Sequence, residues 1–498
     1  MQVEWWSNIA LATLMILAGN VVLHKSALFG NVFKIIGYIY ILLFTKGVDV
    51  FSNTLIAASS ITGVSLTFYT YAYSKSKYSS ISLPPLIDLF LISMILVFRS
   101  GTLIEFITFW LLTELIAFFL IAYDYMVSED VNSMRASVKY LVFSMIPTDL
   151  ALFIILALAG FEDAFTKHIL DLSINISNPL VLVVIILGFF AKAAVIPLHF
   201  WLPDAHSVAP SPASVLLSGL MVKMGIYALY LLSSQIVDVV VSFTMMTFLG
   251  GLTAVYGAAQ ASLQRDLKRL LAYSTTSETG ILSLIAGLYV LSRDESFITA
   301  IILYSLAHAV YKSFMFMDSG YIEVTIHTRN INELGFVSKL SPMQTTSTLM
   351  SIISYLGMPP SIGFLAKLYV FTTISKHLGD SVVYFMALLV LVLKVVVSVL
   401  YNAIYLKAHL GKQLSTKMFT GCSRRDEVAL KTSCFTSSLY SYVIIIYALS
   451  VLQGRIIVQP GLVELLYATI AILLLVSLTL YPLIYIVLKR GTNGGVLT

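Results

Sequence analysis

Residues 188–212 read GFFAKAAVIPLHFWLPDAHSVAPSP. The stretch opens as an apolar helix, places Lys192 inside it, and then meets Pro197, Pro203, Pro210 and Pro212. Proline lacks an amide hydrogen and breaks a helix, and the carbonyls it frees can bind ions or water. A second stretch repeats the device. Residues 354–370, SYLGMPPSIGFLAKLYV, carry Gly357, Pro359, Pro360 and Gly363 and then Lys367. Lys192 is followed 31 residues later by Lys223, and Lys367 is followed 27 residues later by Lys394. Paired interrupted helices in corresponding halves are the sequence pattern of inverted-repeat transporters, with the site at the repeat interface. The expected architecture is an all-α integral membrane protein with two inverted five-helix repeats, 83–233 and 237–406, each holding one broken helix.

Composition agrees. The chain has 498 residues, 58% of them hydrophobic and only 11% charged, with a mean hydropathy of +0.92. Soluble domains run near ~25% charged. Apolar stretches of bilayer-spanning length fall near 3–23, 27–46, 50–73, 83–98, 102–123, 137–160, 179–198, 211–233, 237–260, 269–292, 296–318, 341–375, 380–406, 435–452 and 463–488. That predicts 14 to 15 transmembrane helices. Residues 1–82 and 435–498 form flanking helices, and 407–434 is a polar loop. No basic leader with a small-residue cleavage site opens the chain, so a cleaved signal peptide is not expected.

With the N-terminus outside and the spans alternating, 17 Lys and Arg fall in inside loops and 6 in outside loops. This bias sets the orientation, with the C-terminus and the 407–434 loop inside. The net charge of +5 therefore reports loop charge and not nucleic-acid binding. Cys422 and Cys434 form no CxxC pair, which argues against an iron–sulfur cluster in this chain. No phosphate-binding loop, dinucleotide fingerprint or zinc spacing is present.

The remaining basic residues lie inside spans: Lys34, Lys139, Lys192, Lys223, Lys312, Lys367 and Lys394. A charge at a helix centre costs roughly 2.5–3.5 kcal/mol on insertion scales. Lys34 and Lys139 sit near enough to span ends to snorkel. The other five cannot all do so. Glu114 and Asp149 also fall mid-span, and His308 stands one turn before Lys312 on the same face. Buried charges can merely tie helices together, but this many ionisable groups in one chain point to a proton relay or ion pathway. Burial and a neighbouring carboxylate push a lysine pKa in opposite directions, so moving the carboxylate switches the lysine between holding and giving a proton.

Four ordered segments carry a resemblance: 188–229, RDLKRLLAYSTTSETG (265–280), HAVYKSFMFMDSG (308–320) and GMPPSIGFLAKLYVF (357–371). They resemble the antiporter-like membrane subunits of respiratory complex I, shared with membrane-bound energy-converting hydrogenases and multisubunit cation/proton antiporters. The resemblance implies that Glu114 pairs with Lys192 and that Lys223 is the central lysine that receives the proton. It implies that His308 and Lys312 relay towards the second half, that Lys367 is the terminal residue, and that His199 and His206 line the inner access. Three positions depart from the family pattern. Trp110 stands four residues before Glu114, where many members have a tryptophan immediately before the glutamate. Asp149 and Lys394 are not standard positions, and they read either as a structural pair or as part of the route.

The resemblance further implies that this chain holds no cofactor and that it is a multi-pass protein of a prokaryotic-type cell membrane. The implied partners are other membrane subunits, the lipid bilayer and, through those subunits, a peripheral iron–sulfur redox arm. Two functions remain open. One is a proton- or sodium-translocating, non-redox subunit of a complex I-like or hydrogenase-like redox complex. The other is a subunit of a stand-alone cation/proton antiporter.

Overall fold

The computed structural model describes residues 2–174, 176, 178–233, 239–411 and 422–453. Apart from one isolated bridge between Asp266 and Asn330, the described chain is helices and short connections. The flanking and first-set helices are α1 (Gln2–Leu23), α2 (Ala27–Phe44), α3 (Val50–Tyr78), α4 (Leu83–Arg99), α5 (Leu103–Ile121) and α6 (Val131–Ala159). The first broken helix follows as α7 (Pro179–Ala193) and α8 (Trp201–Val208), then α9 (Ser211–Ser233). The second set runs α10 (Val240–Ser262), α11 (Leu267–Ser292) and α12 (Ser296–Ile326). Its broken helix is α13 (Pro342–Leu356) with α14 (Ile362–Lys376), then α15 (Val382–Leu410) and α16 (Arg424–Gln453). Among the described residues, 10 helices are long and apolar enough to cross a bilayer by length and composition. Each expected span up to 435–452 finds a helix or a broken pair, and the span expected near 463–488 lies outside the described residues.

The local sequence explains the helix starts. Thr102 accepts the Glu105 amide at 3.3 Å while Glu105 accepts the amides of Gly101 and Thr102, a reciprocal cap that opens α5. Asp49 and Ser52 do the same for α3. Burial sorts the helices into two shells. The apolar windows of α3, α9 and α12 are 89%, 89% and 94% buried, whereas those of α6 and α15 are 28% buried. The first three form the centre, and the outer pair turn Leu, Val and Phe side chains outward, as lipid-facing helices do.

Small residues allow the closest crossings. Gly363, at the start of α14, packs so tightly on the end of α13 that an added Cβ would lie 1.8 Å from the Ser354 carbonyl oxygen. The chain segments bearing Lys77, Asp124, Asp204, Asp266 and Arg329 meet around one cavity. Asp294, His377 and Asp380 meet in another group, with the His377 ring 3.1 Å from Asp294 and 2.7 Å from Asp380. Partial burial draws the His377 pKa down, but its bonds to Asp380 and Asp294 outweigh that and hold it above the ordinary value.

Two outcomes are expected. Gly363→Ala should lower the stability of the solubilised protein by about 1–3 kcal/mol through overpacking. Gly379→Ala, where an added Cβ meets nothing within 4 Å, should leave it unchanged. Thermal unfolding of the two variants side by side reads the difference. Because the folded pKa of His377 is raised, its clamp stabilises fully below the unfolded pKa of about 6.5 and is lost as pH rises through the folded value. Amide exchange at residues 378–381, corrected for intrinsic rate, should therefore lose protection with rising pH. His377→Gln should abolish that dependence.

Candidate functional site

The broken helices set the first centre. α7 ends where Ala194 takes a left-handed conformation (φ 55°), so Lys192 occupies the last turn against a carbonyl-rich helix end. A cation is favoured there by the helix dipole. Lys192 is ion-paired to Glu114 of α5, and both side chains are fully buried. Its Nζ also donates to the Tyr140 hydroxyl at 3.1 Å and lies 5.0 Å from the Tyr140 ring. Trp110 is one turn from Glu114, and its Nε1 donates to Glu114 Oε1 at 3.1 Å. A tryptophan four residues away on a helix thus still reaches the carboxylate. Glu114 Oε2 has no hydrogen-bond partner, and Asp149 of α6 faces this carboxylate.

Lys223 follows a π-turn, Leu217–Met221, in α9. Such turns widen a helix by a residue and recur at functional sites. The fully buried Lys223 amine donates back to the Ser218 carbonyl at 2.8 Å. The Ser218 hydroxyl meets Thr275 of α11 at 2.7 Å.

The second centre lies between α11, α12, α13, α14 and α15. Glu278 of α11 is fully buried, ion-paired to Lys394 of α15 and hydrogen-bonded by Tyr304 of α12. Lys312 donates to the Leu271 carbonyl at 3.1 Å and to the Ser274 hydroxyl. Lys367 donates to the Tyr355 carbonyl in the last turn of α13, so the second break also sets a lysine on a helix carbonyl end. Other carbonyls near the breaks are met by protein donors: Trp201 takes Ala191 O at 2.8 Å and Lys268 takes Ala209 O at 3.0 Å.

His308 is fully buried between the lysines, and neither ring nitrogen has a hydrogen-bond partner. Lys223, Lys312 and Lys394 are within electrostatic reach of it. His206 is also buried with both nitrogens unpartnered, its ring stacked 4.6 Å from Phe316. His199 packs between Phe200 and Tyr256, with centroids at 4.2 and 5.0 Å.

Beside α8, the helix that carries His206, lies a cavity of about 610 Å³ lined by Asp204, Ser207 and Val208 of that helix. Five carboxylates, Asp124, Asp130, Asp204, Asp266 and Glu323, and five cations, Lys77, Arg135, Lys139, Arg269 and Arg329, line it. Glu323 closes its inner end, paired to the buried Lys268 at 2.8 Å and to Lys77 at 3.1 Å.

Several expectations change. Lys34 does not snorkel: it is fully buried and paired to Asp88 at 2.7 Å, because α2 packs on α1 and α3 and turns this side chain inward to reach Asp88 of α4. Lys139 does reach the surface, where its half-exposed amine meets Asp204. Asp149 and Lys394 are not a pair, since Lys394 belongs to Glu278 and Asp149 to the surroundings of Glu114. Glu278, Asp318 and Glu323 escaped the sequence reading. Asp318 is buried and bonded to His409 at 3.0 Å, Tyr405 at 2.6 Å and Gln344 at 2.6 Å. Glu278 sits mid-helix inside the expected 269–292 span, where the test that singles out Glu114 also applies; Asp318 stands at the end of the expected 296–318 span and Glu323 beyond it, in the last turn of α12, so apolar run length gave no signal for that pair.

Known proteins share this fold. Residues 100–396 match the transmembrane family described as NADH:quinone oxidoreductase/Mrp antiporter. A Na(+)/H(+) antiporter protein of Alkalihalophilus pseudofirmus, one component of a multi-component antiporter, is 31% identical over 350 residues, 67% of this chain and 43% of that protein. Hydrogenase-4 component B of Escherichia coli is 28% identical over 342 residues, 65% of this chain and 50% of that protein. A component of the F(420)H(2) dehydrogenase of Methanosarcina mazei is 37% identical over 193 residues, 38% of each. The matches span half or less of the length of these curated relatives. A chain of the Mrp complex from a Dietzia species superposes with a TM-score of 0.71 at 20% identity, covering 96% of both chains. A chain of the membrane-bound sulfane sulfur reductase, an archaeal respiratory membrane complex, also gives 0.71 at 20% identity, covering 90% of this chain and 96% of that one. At that identity the two structures speak for the fold.

One prediction separates structural from functional pairs. Asp88 holds Lys34, Tyr38 and Asn20 together and lies on none of the helices that carry the two centres. Asp88→Asn strands the Lys34 charge and should cost about 3–5 kcal/mol of stability. Ion translocation per assembled complex should stay at the wild-type rate, measured in vesicles after normalising to the amount of intact complex.

Proposed function

The chain belongs to the NADH:quinone oxidoreductase/Mrp antiporter transmembrane family, and on that premise we propose that it translocates protons as a non-redox membrane subunit of a complex I-like or hydrogenase-like redox complex. The observation that carries this reading is the set of ionisable groups on adjoining helices: the buried Glu114 with Lys192, then Lys223, His308, Lys312 and Lys394, and the half-buried Lys367. In the proposed route His206 and His199 admit the proton from the charged cavity, Lys192 and Lys223 hold it in the first half, and His308 and Lys312 pass it to the second. Lys367 and Lys394 then release it. Asp149 supports Glu114, whose free oxygen gives that carboxylate a second acceptor position. Cycling a carboxylate between partners gates the adjacent lysine.

Protons suit this lining better than sodium. A bare cation would meet repeated ammonium groups, while a proton converts one amine to ammonium and leaves the next neutral. Moving one charge against 100 mV costs about 2.3 kcal/mol, and one pKa unit of swing supplies about 1.36 kcal/mol, so small rearrangements suffice. Placing the charged cavity on the cytoplasmic side of a prokaryotic-type cell membrane follows the charge bias of the loops.

The second reading is a subunit of a stand-alone cation/proton antiporter. The match to the Alkalihalophilus antiporter protein, over more of this chain than the hydrogenase component, favours it. The match to hydrogenase-4 component B and to the F(420)H(2) dehydrogenase favours the redox setting.

The test is proton pumping in vesicles holding the intact complex. Lys223→Ala and Glu114→Gln should both assemble and lose most of the pumping. Normal pumping by both would make the buried charges structural. The drive separates the two settings: pumping that requires an electron donor favours the redox complex, and pumping driven by an imposed sodium gradient alone favours the antiporter.

A further inference from the structure

The second centre holds more cations than pairing needs. Glu278 is one buried carboxylate, ion-paired to Lys394 and hydrogen-bonded by Tyr304, whose hydroxyl is also 3.3 Å from the Lys394 amine. Three lysine amines sit around the ring of Tyr355: Lys312 at 5.1 Å, Lys367 at 5.3 Å and Lys394 at 5.3 Å from its centroid. An aromatic face attracts a cation at such distances, more strongly when desolvated. The Tyr355 hydroxyl is held by Tyr401, and the ring is buried, so the seat is fixed.

A pair that merely ties helices needs one cation for one carboxylate. Here three amines reach one ring at nearly equal distance, and Glu278 lies within electrostatic reach of the same three. Helix order adds a parallel. Glu114 lies on the second helix of the first five-helix set, with Lys192 on the broken helix and Lys223 on the helix after it. Glu278 lies on the second helix of the second set, with Lys367 on the broken helix and Lys394 on the helix after it.

We propose that Glu278 is the counter-charge of the second half, the counterpart of Glu114, and that it serves in turn whichever of Lys312, Lys394 and Lys367 on the Tyr355 ring carries the translocated proton. The proposal rests on the relay reading above and adds to it the carboxylate that reading lacks. A proton passed from the Lys312 ammonium to a neutral Lys394 leaves an amine at Lys312 and an ammonium beside Glu278. The same transfer from Lys394 to Lys367 carries the charge onward, and total protonation is conserved at each step. Tyr355 is a positioning residue that keeps the three amines at matched distance. Glu278 itself neither gains nor loses the translocated proton.

The experiment is ion translocation by the intact complex in vesicles, normalised to assembled complex, for Glu114→Gln, Glu278→Gln, Glu278→Asp and the charge-swapped Glu278→Lys with Lys394→Glu. Glu278→Gln should lower the rate by roughly a hundredfold, the scale of a positioned proton-transfer group. Glu278→Asp should restore a large part of it. The swapped pair keeps an ion pair but places the carboxylate on α15 and should remain as slow as Glu278→Gln. Wild-type translocation by Glu278→Gln alongside loss in Glu114→Gln would overturn the proposal and leave the relay standing. Full activity of the swapped pair would also overturn it, since a structural pair works in either orientation. Normal rates in both Glu114→Gln and Glu278→Gln would remove the relay and the proposal together. Should Glu278→Gln not assemble, Lys394→Gln is compared with Glu278→Gln plus Lys394→Gln, which leaves neither member of that pair stranded: a further loss in the double variant supports the proposal, and equal rates in the two overturn it.

Discussion

A charge buried at bilayer depth must find a partner or be expelled, because the hydrocarbon offers no water to solvate it. The helix arrangement follows from that constraint at several crossings. Lys34 with Asp88 ties α2 to α4, Glu114 with Lys192 ties α5 to α7, and Glu278 with Lys394 ties α11 to α15. Asp318 with His409 ties α12 to α15. Between lipid-facing helices there is little hydrophobic drive for association, so tight small-residue crossings and polar ties carry the specificity. The pairs are not equivalent. Asp88 has every neighbour it needs, whereas Glu114 keeps an oxygen without a partner and Glu278 faces more cations than it can neutralise.

The breaks serve the same constraint from the backbone side. A helix that stops inside the bilayer exposes carbonyls that must be met. The two breaks meet them with side chains: Trp201 and Lys268 near the first, Lys367 at the second. A lysine placed there is held by dipoles as well as by a carboxylate, so releasing the carboxylate does not leave it without interactions. The unpartnered rings of His308 and His206 are the opposite case, two groups with open donor and acceptor positions beside that wiring.

Much of this is legible from residues alone. Prolines, glycines and lysines in the two broken stretches give the architecture, and apolar run lengths place the helices, with boundaries off by several residues where α6 begins at Val131 and α12 runs on to Ile326. Glu114 and Lys192 are readable as partners through the family resemblance, and the structure brings them together. Pairings across the fold are not readable. Lys394 shows no partner in the sequence because Glu278 lies 116 positions earlier in a polar segment, STTSETG, that reads as a weak helix. Lys34 misleads for a similar reason: whether a lysine near a helix end faces water or Asp88 depends on packing that hydropathy does not encode. The π-turn beneath Lys223 carries no evident sequence signal.

The charged cavity has a further consequence. Its lining side chains carry five carboxylates and five cations, so the two signs nearly balance, and beyond a Debye length of about 8 Å at physiological salt their separate fields are largely screened. A mouth with excess carboxylate would enrich every cation in solution, sodium and potassium far more than the scarce proton. A neutral, strongly dipolar mouth stays hydrated without concentrating any ion. On the proposed route, selection then falls to the interior.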